Sequence, residues 1–86
     1  MRLLVAENDP ALATFLRDGL EYEHYSVDLA ADGDDAKYRA EQRHHDLAIL
    51  DLDIEQGHGT QVLQYLRAKR TQLPILVLSR QRRAEE

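Results

Sequence analysis

The chain has 86 residues and a formal net charge of −5, with 43% hydrophobic residues, 31% charged residues and no cysteine. This length allows one small domain, and the composition is typical of a globular chain and argues against disorder. The negative charge disfavours broad nucleic-acid binding, and the lack of cysteine excludes disulfides and cysteine-ligated zinc. No apolar stretch approaches the roughly 20 residues of a membrane span, and the N-terminus turns acidic too early for a signal peptide. We therefore expect a cytoplasmic protein without a membrane partner.

The first predicted element is a strand over residues 2–6, because "RLLVAE" is a continuous apolar run suited to burial on both faces. A helix follows near residues 10–22, where Asp9 can cap the first turn and Pro10 suits the first helical position. Four apolar residues recur along this helix at helical spacing and predict its buried face. They are Leu12, Phe15, Leu16 and Leu20.

Three more strands are predicted near residues 26–30, 47–51 and 74–78, separated by helices near 34–44 and 60–70. This regular alternation of strand and helix implies a parallel sheet with right-handed crossovers. We therefore predict an α/β fold of three layers, with the strands in the order 2-1-3-4.

The two later helices differ in their predicted apolar faces. The second helix offers a thin face made of Ala36 and Ala40, with help from Tyr38. The third has a stronger inward face, formed by Val62, Leu63 and Leu66. Each face is predicted to pack on the sheet.

Polar side chains follow three of the four predicted strands at their carboxyl ends. They are Glu7, Asn8 and Asp9 after the first strand, Asp51 and Asp53 at the third, and Ser79 after the fourth. In open parallel sheets, ligands bind beyond the carboxyl ends of the strands at a switch point in strand order. Several oxygen ligands in one cleft suit Mg²⁺, and a carboxylate beside the cation can accept a phosphoryl group. The pattern indicates Asp51 as the acceptor, Asp53 beside the metal and Ser79 as a donor to a phosphoryl oxygen.

Each of these polar groups also has a structural interpretation. An acidic cluster after one strand is commonly a turn or a helix cap, and Asp9 is better explained as a cap. The combination at three strand ends is more specific and favours a site. The histidines are interpreted as surface or loop residues and not as metal ligands; they are His24, His44, His45 and His58.

Four segments carry a resemblance to a known family: "RLLVAENDPALATFLRDGLE", "YSVDLAADGDDA", "HDLAILDLDIEQGHGTQVLQYLR" and "LPILVLSR". Together they resemble the response-regulator receiver domain of two-component signalling, of the type found in winged-helix transcription factors. The resemblance implies a flavodoxin-like fold. Residues 1–79 would form a receiver domain that lacks the family's fifth strand and last two helices, and residues 80–86 a charged C-terminal tail.

The resemblance also implies roles for single residues. Asp51 matches the phosphoacceptor, and Glu7 and Asn8 match the acidic pair that holds Mg²⁺. Asp53 matches the position whose main-chain carbonyl binds the metal, and Ser79 matches the switch hydroxyl. In the family a sensor histidine kinase donates the phosphoryl group, so the resemblance implies a signalling module and not an enzyme.

This sequence departs from the family pattern at several positions. Asn8 stands where a second acid is usual, Glu55 where proline is usual, His58 where aspartate is common and Arg80 where a small residue is usual. The family's active-site lysine is absent together with the fifth strand. We therefore expect Mg²⁺ binding that is weak or absent and impaired phosphorylation, with Asp9 as a candidate compensating ligand.

Two other functions stay open on the sequence. One is a receiver-derived module that acts through protein contacts without phosphorylation. The other, more remote, is a hydrolase resembling the haloacid-dehalogenase class, because "ILDLDIE" partly resembles its nucleophile motif.

The fourth strand, "PILVLS", is predicted to be an uncovered and apolar sheet edge. We expect a homodimer or higher oligomer through this edge, with the basic segment 80–83 available to pair with acids of the partner chain. This fragment is not expected to bind nucleic acid.

Overall fold

The computed structural model describes residues 1–54, 59–69 and 72–79. Strands and helices alternate in the order β1 Arg2–Ala6, α1 Pro10–Tyr22, β2 Ser26–Ala30, α2 Gly33–Gln42, β3 Leu47–Asp51, α3 Gly59–Lys69 and β4 Ile75–Leu78. The strands form one parallel sheet in the order β2-β1-β3-β4. The predicted fold class and strand order are therefore confirmed. The predictions on Glu55, His58 and residues 80–86 lie outside the described residues.

Aspartate side chains cap the N-termini of the first two helices. The Asp9 carboxylate accepts a hydrogen bond from the Ala11 amide at 3.1 Å, and Asp32 accepts one from the Asp35 amide at 2.8 Å. These caps satisfy backbone N–H groups that have no partner within the helix. The predicted cap at Asp9 is confirmed, and α2 ends at Gln42, two residues earlier than expected. No helix in the described ranges is long and apolar enough to cross a membrane.

The main core lies between the sheet and the pair of helices α2 and α3. Its buried members are Leu4, Ala6, Ala30, Ala36, Ala40, Ala48, Leu50, Ile54, Val62, Leu66 and Leu73. Leu63 packs against this cluster and is half-buried. The prediction that Tyr38 adds to the buried face of α2 is wrong, because this residue is 63% exposed. Tyr38 is two residues from both Ala36 and Ala40, which places it about 200° around the helix from the face they bury.

The opposite face of the sheet is covered by α1, which buries Leu3 and Val5 of β1. Ala13 is the one fully buried residue of α1. Phe15, predicted to face inward, is 73% exposed. The buried arc of α1 runs along Ala13, Leu16 and Leu20, and Phe15 lies roughly 100° from Leu16 around the helix. The apolar stripe of α1 is therefore wider than the area of the sheet on which this helix packs.

Polar side chains form a cluster at the amino end of β1 and β3, which we call the amino-edge cluster: Arg2, Asp28, His45 and Asp46. His45 is 2% exposed, so its interpretation as a surface residue is wrong. Its Nε2 donates to Asp28 Oδ2 at 2.8 Å, and an Arg2 guanidinium nitrogen donates to Asp28 Oδ1 at 3.0 Å. The Arg2 amide donates to Asp46 Oδ2 at 2.8 Å. The charge and hydrogen bonds of Asp28 explain how a polar histidine is accommodated inside the fold.

The pKa of Asp28 makes the folding stability depend on pH. Burial raises this pKa, but the hydrogen bond from His45 and the charge of Arg2 outweigh it and hold the pKa below its usual value. Asp28 therefore stabilises the fold above its unfolded pKa of about 4, and this contribution is lost as the pH falls through the folded pKa. We expect Asp28→Asn to unfold at a lower urea concentration than the wild type at pH 7. In acid the two urea midpoints should lie closer together.

Asp18→Asn provides the control, because Asp18 is exposed and pairs with the neighbouring Arg17 at the surface. Exposed ion pairs of this kind contribute little to stability. Equal pH dependence in the wild type and in Asp28→Asn would contradict the expectation.

Candidate phosphoacceptor site

Glu7 and Asp51 lie side by side at the carboxyl edge of the sheet. Glu7 directly follows β1 and Asp51 ends β3, and these strands are neighbours in which Ala6 pairs with Leu50. The register carried on by one residue places Glu7 opposite Asp51, at the inter-strand spacing of about 4.8 Å. Both side chains are buried, with 3% and 1% of the residue exposed. Two buried acids thus share one edge of the sheet.

A backbone amide two residues further along the chain holds one oxygen of each acid. The Asp9 amide donates to Glu7 Oε2 at 3.1 Å, and the Asp53 amide donates to Asp51 Oδ1 at 2.9 Å. The aspartate arrangement is an Asx-type turn, in which a short acidic side chain fixes the loop that follows it. Each carboxylate is therefore oriented by its own loop.

Ser79 reaches the same edge from β4. Leu78 pairs with Asp51, and the Leu52 amide donates to the Leu78 carbonyl at 2.9 Å, so Ser79 comes directly after the last pairing residue. Ser79 is exposed. The structure thus brings Glu7, Asp51 and Ser79, predicted from three separate strands, to one edge.

The remaining predicted residues flank this edge. Asn8 is exposed, and Asp53 is half-buried in the turn after β3. The Asp9 carboxylate caps α1, as its hydrogen bond from the Ala11 amide shows. Because Asp9 Oδ1 accepts that bond, the structure gives Asp9 a role in starting the helix. Its role as a compensating metal ligand stays a prediction.

The donor set at this edge fits a hard cation. Mg²⁺ prefers oxygen ligands and keeps several waters, so one or two carboxylates are enough to hold it. For such a cation Glu7 and Asp51 would supply carboxylates, Asn8 an amide oxygen and Asp53 a main-chain carbonyl. Within the residues that the structure describes, no group of three His, Cys, Asp or Glu side chains could hold a metal. A cation here would depend on two acids together with neutral oxygens and water.

Gly59 is a residue of this site that the sequence did not single out. It begins α3, and its amide donates to the Leu52 carbonyl at 3.2 Å. A Cβ at Gly59 would lie 2.5 Å from both the Leu52 Cα and the Leu52 carbonyl oxygen. The glycine therefore lets the start of α3 approach the backbone directly after Asp51. A glycine at a junction between loop and helix is the one signal that could have indicated it.

Comparison with known proteins identifies the family. Residues 3–86 match the model of the response regulator receiver domain. The chain belongs to this family, and the resemblance found in the sequence is confirmed. One relative is the two-component response regulator PhoP of Pseudomonas aeruginosa, which is 35% identical over 92% of this chain and 35% of its own length. The chain thus spans about a third of the length of this curated relative.

Solved structures show the same fold. The non-phosphorylated receiver domain of HemR from Leptospira biflexa superimposes with a TM-score of 0.87 and 31% identity, covering 98% of this chain and 68% of that one. TrrA of Thermotoga maritima, in a complex with Mg²⁺ and BeF, has a TM-score of 0.84 and 29% identity, covering 91% of this chain and 68% of that one. A second TrrA structure, with the histidine kinase ThkA, has a TM-score of 0.85 and 27% identity over 99% of this chain and 73% of that one.

Gly59→Ala tests whether close packing at Gly59 holds the turn after Asp51. The added Cβ would meet backbone atoms of Leu52, which cannot rotate away. We expect the free energy of unfolding to fall by about 1–3 kcal/mol, as for other overpacked sites, and the NMR signals of the Asp51 and Asp53 amides to shift.

Gly19→Ala is the matched control, because nothing lies within 4 Å of a Cβ at that position. Alanine in an exposed helix interior should raise stability by up to about 1 kcal/mol. Similar losses in the two variants would show that Gly59 has no special packing role.

Proposed function

We propose that this chain is a phosphoacceptor module of a two-component phosphorelay, in which Asp51 receives a phosphoryl group from a sensor histidine kinase. One observation carries the proposal: Asp51 is buried at the carboxyl edge, beside Glu7, with its carboxylate oriented by the Asp53 amide. Orientation of a nucleophile toward one direction of attack lowers the entropy cost of transfer. The TrrA structure with a histidine kinase supports a kinase as the partner class.

In the proposed step, an Asp51 oxygen attacks phosphorus and the bond between phosphorus and the kinase histidine nitrogen breaks. The product is an acyl phosphate on Asp51, and the imidazole leaves as the neutral base after taking up a proton. The chain is modified once per transfer and is not an enzyme in this proposal. The Ser79 hydroxyl, which follows the end of β4, would donate to a phosphoryl oxygen.

Mg²⁺ would be held by Glu7, Asp51, the Asn8 amide oxygen and the Asp53 carbonyl. When bound, it supplies positive charge that offsets the carboxylates and the incoming phosphoryl oxygens. The TrrA complex with Mg²⁺ and BeF supports this choice of cation. Because Asn8 contributes no charge, the affinity for Mg²⁺ should be low. A cysteine-free chain suits a reducing compartment, so the proposal includes a cytoplasmic location.

A second role, as a self-associating module, rests on the exposed residues of β4. Within the described residues β4 pairs only with β3, and Leu76 and Val77, which point to opposite faces, are 52% and 38% exposed. An apolar strand edge of this kind can pair with another chain. We include a homodimer of C2 symmetry through β4 in the proposal, and no nucleic-acid partner for this chain. The match to the receiver family gives no support to the hydrolase alternative.

The phosphoacceptor role predicts labelling of Asp51. With Mg²⁺ and a small acyl phosphate as donor, we expect mass spectrometry to find one phosphoryl group per chain on Asp51, and none in Asp51→Asn. Asp53→Asn is the matched control and should retain labelling, because its proposed metal ligand is the main-chain carbonyl.

Labelling of Asp51→Asn to the same extent as the wild type would contradict the proposal. Chelation of Mg²⁺ should abolish the reaction. In a titration followed by the Asp51 amide signal, sub-micromolar affinity for Mg²⁺ would contradict the weak binding expected from Asn8.

The self-associating role predicts a dimer in sedimentation equilibrium at micromolar concentration. Burial of 300 Å² of apolar surface per chain would contribute roughly 7–8 kcal/mol, of which association entropy removes a large part. Leu76→Lys should dissociate the dimer by placing a charge in the interface.

Tyr22→Lys serves as the control for that variant. Tyr22 is 83% exposed and ends α1, which packs mainly on β1 and β2. This variant should keep the mass of the dimer. A wild type with the mass of a monomer, 9.9 kDa, would refute the association.

A further inference from the structure

The amino-edge cluster connects three strands across the sheet. Asp28 belongs to β2, Arg2 begins β1, and His45 precedes β3. Because the strand order is β2-β1-β3-β4, β2 and β3 are not neighbours, and the contact from His45 to Asp28 crosses β1. Both oxygens of Asp28 are used, one by the side chain of His45 and one by that of Arg2. One carboxylate thus ties the three strands together.

The apolar residues of β1 and β3 do not select the register between these strands. Leu3, Leu4, Val5 and Ala6 are all buried, so both faces of β1 are apolar. A strand with alternating pattern loses its buried face when it slips by one residue, and that loss is what normally specifies register. In β1 a slip exchanges one apolar residue for another. Both faces of strand β3 are likewise apolar over residues 48–50, which are all buried.

Polar contacts can make the selection that the apolar residues do not make. A slip of β1 by one residue would move the Arg2 amide away from Asp46 and the guanidinium away from Asp28 by about 3.3 Å. Both hydrogen bonds would be lost, and the carboxylate of Asp28 would keep only His45. The loss of these part-buried hydrogen bonds therefore disfavours a slip of β1 by one residue.

A polar side chain is kept at position 45 although its burial lowers the stability of the fold. Its Nε2 donates to Asp28, because a carboxylate can only accept, but its Nδ1 is buried without a hydrogen-bond partner among the described residues. An apolar ring would avoid this burial. Polar groups kept inside a fold at the expense of stability are known to fix register in other systems.

Register at the amino edge decides the geometry at the carboxyl edge. Leu3 pairs with Leu47, and the same ladder, followed four residues further, brings Glu7 beside Asp51. We propose that Arg2, Asp28 and His45 are positioning residues of the phosphoacceptor site, acting through strand register on the placement of Glu7 against Asp51. Their importance for phosphoryl transfer rests on the proposed function, whereas their effect on register does not.

Two backbone amides report on the site without any phosphorylation. The Asp9 amide donates to Glu7 and the Asp53 amide donates to Asp51, so their hydrogen exchange measures how well each acid is held. The Tyr25 amide, which donates to the Leu20 carbonyl at 3.1 Å between α1 and β2, is a reference at the end of the sheet opposite the site. In His45→Phe we expect exchange at Asp9 and Asp53 to accelerate roughly tenfold relative to Tyr25, the effect of losing about 1.4 kcal/mol of local protection.

His45→Gln should restore the wild-type pattern, because its amide can donate to Asp28 as the imidazole does. Leu66→Ala is the control for stability alone: it removes a buried core residue outside the cluster and should accelerate all three amides together. Where His45→Phe does not fold, Arg2→Met gives the same test, because it removes only the guanidinium arm of the cluster.

A uniform acceleration in His45→Phe, like that in Leu66→Ala, would overturn the positioning role, as would unchanged amides. Labelling of Asp51 in the wild type separates this inference from the proposed function. Selective acceleration without any labelling would support the register effect and reject the phosphoacceptor role. Labelling with uniform acceleration would reject the register effect alone.

Discussion

The parallel pairing of β1 with β3 is the contact on which the rest of the structure depends. These are the two central strands, and each is covered on both faces, so their residues supply buried side chains to the core on either side. The same pairing brings Glu7 and Asp51 to one edge and Arg2 and Asp46 to the other. Because a strand is stiff and continuous, its two ends cannot shift independently. Core packing and site geometry are therefore consequences of one register.

Much of this arrangement could be predicted from the sequence because strands and helices alternate with clear punctuation. The bounds of β1, β2 and β3 agree with the prediction, since each is a short segment rich in aliphatic residues that is followed by acids or turn residues. The residues of the candidate site were predictable for a related reason. In a parallel sheet all carboxyl ends meet at one edge, so acids that follow strands converge whatever the details of packing. What each residue does there is still a proposal.

Other features could not be predicted, because they depend on contacts between distant parts of the chain. His45 was interpreted as a surface residue, since nothing near it in the sequence indicates that Asp28 lies within hydrogen-bond distance. Phe15 was predicted to face the sheet, because helical spacing indicates the direction of the apolar stripe of α1. The spacing does not indicate how wide an area of sheet lies beneath that helix. The contact of Gly59 with Leu52 is equally hidden, because a glycine gives no sign of what its missing side chain would have met.

The two faces of the sheet are covered to different extents, and this difference bears on which contacts select the strand register. The face under α2 and α3 holds a continuous cluster built around small residues, Ala36 and Ala40, that bring α2 close to the sheet. The face under α1 leaves Leu76 half uncovered. A small core of interchangeable aliphatic residues gives stability to several arrangements with little discrimination among them. Hydrogen bonds discriminate more sharply, because a shift of a few ångströms abolishes them while apolar contacts are merely exchanged. A polar cluster at the end of the sheet opposite the site can thus select the register that also brings Glu7 beside Asp51.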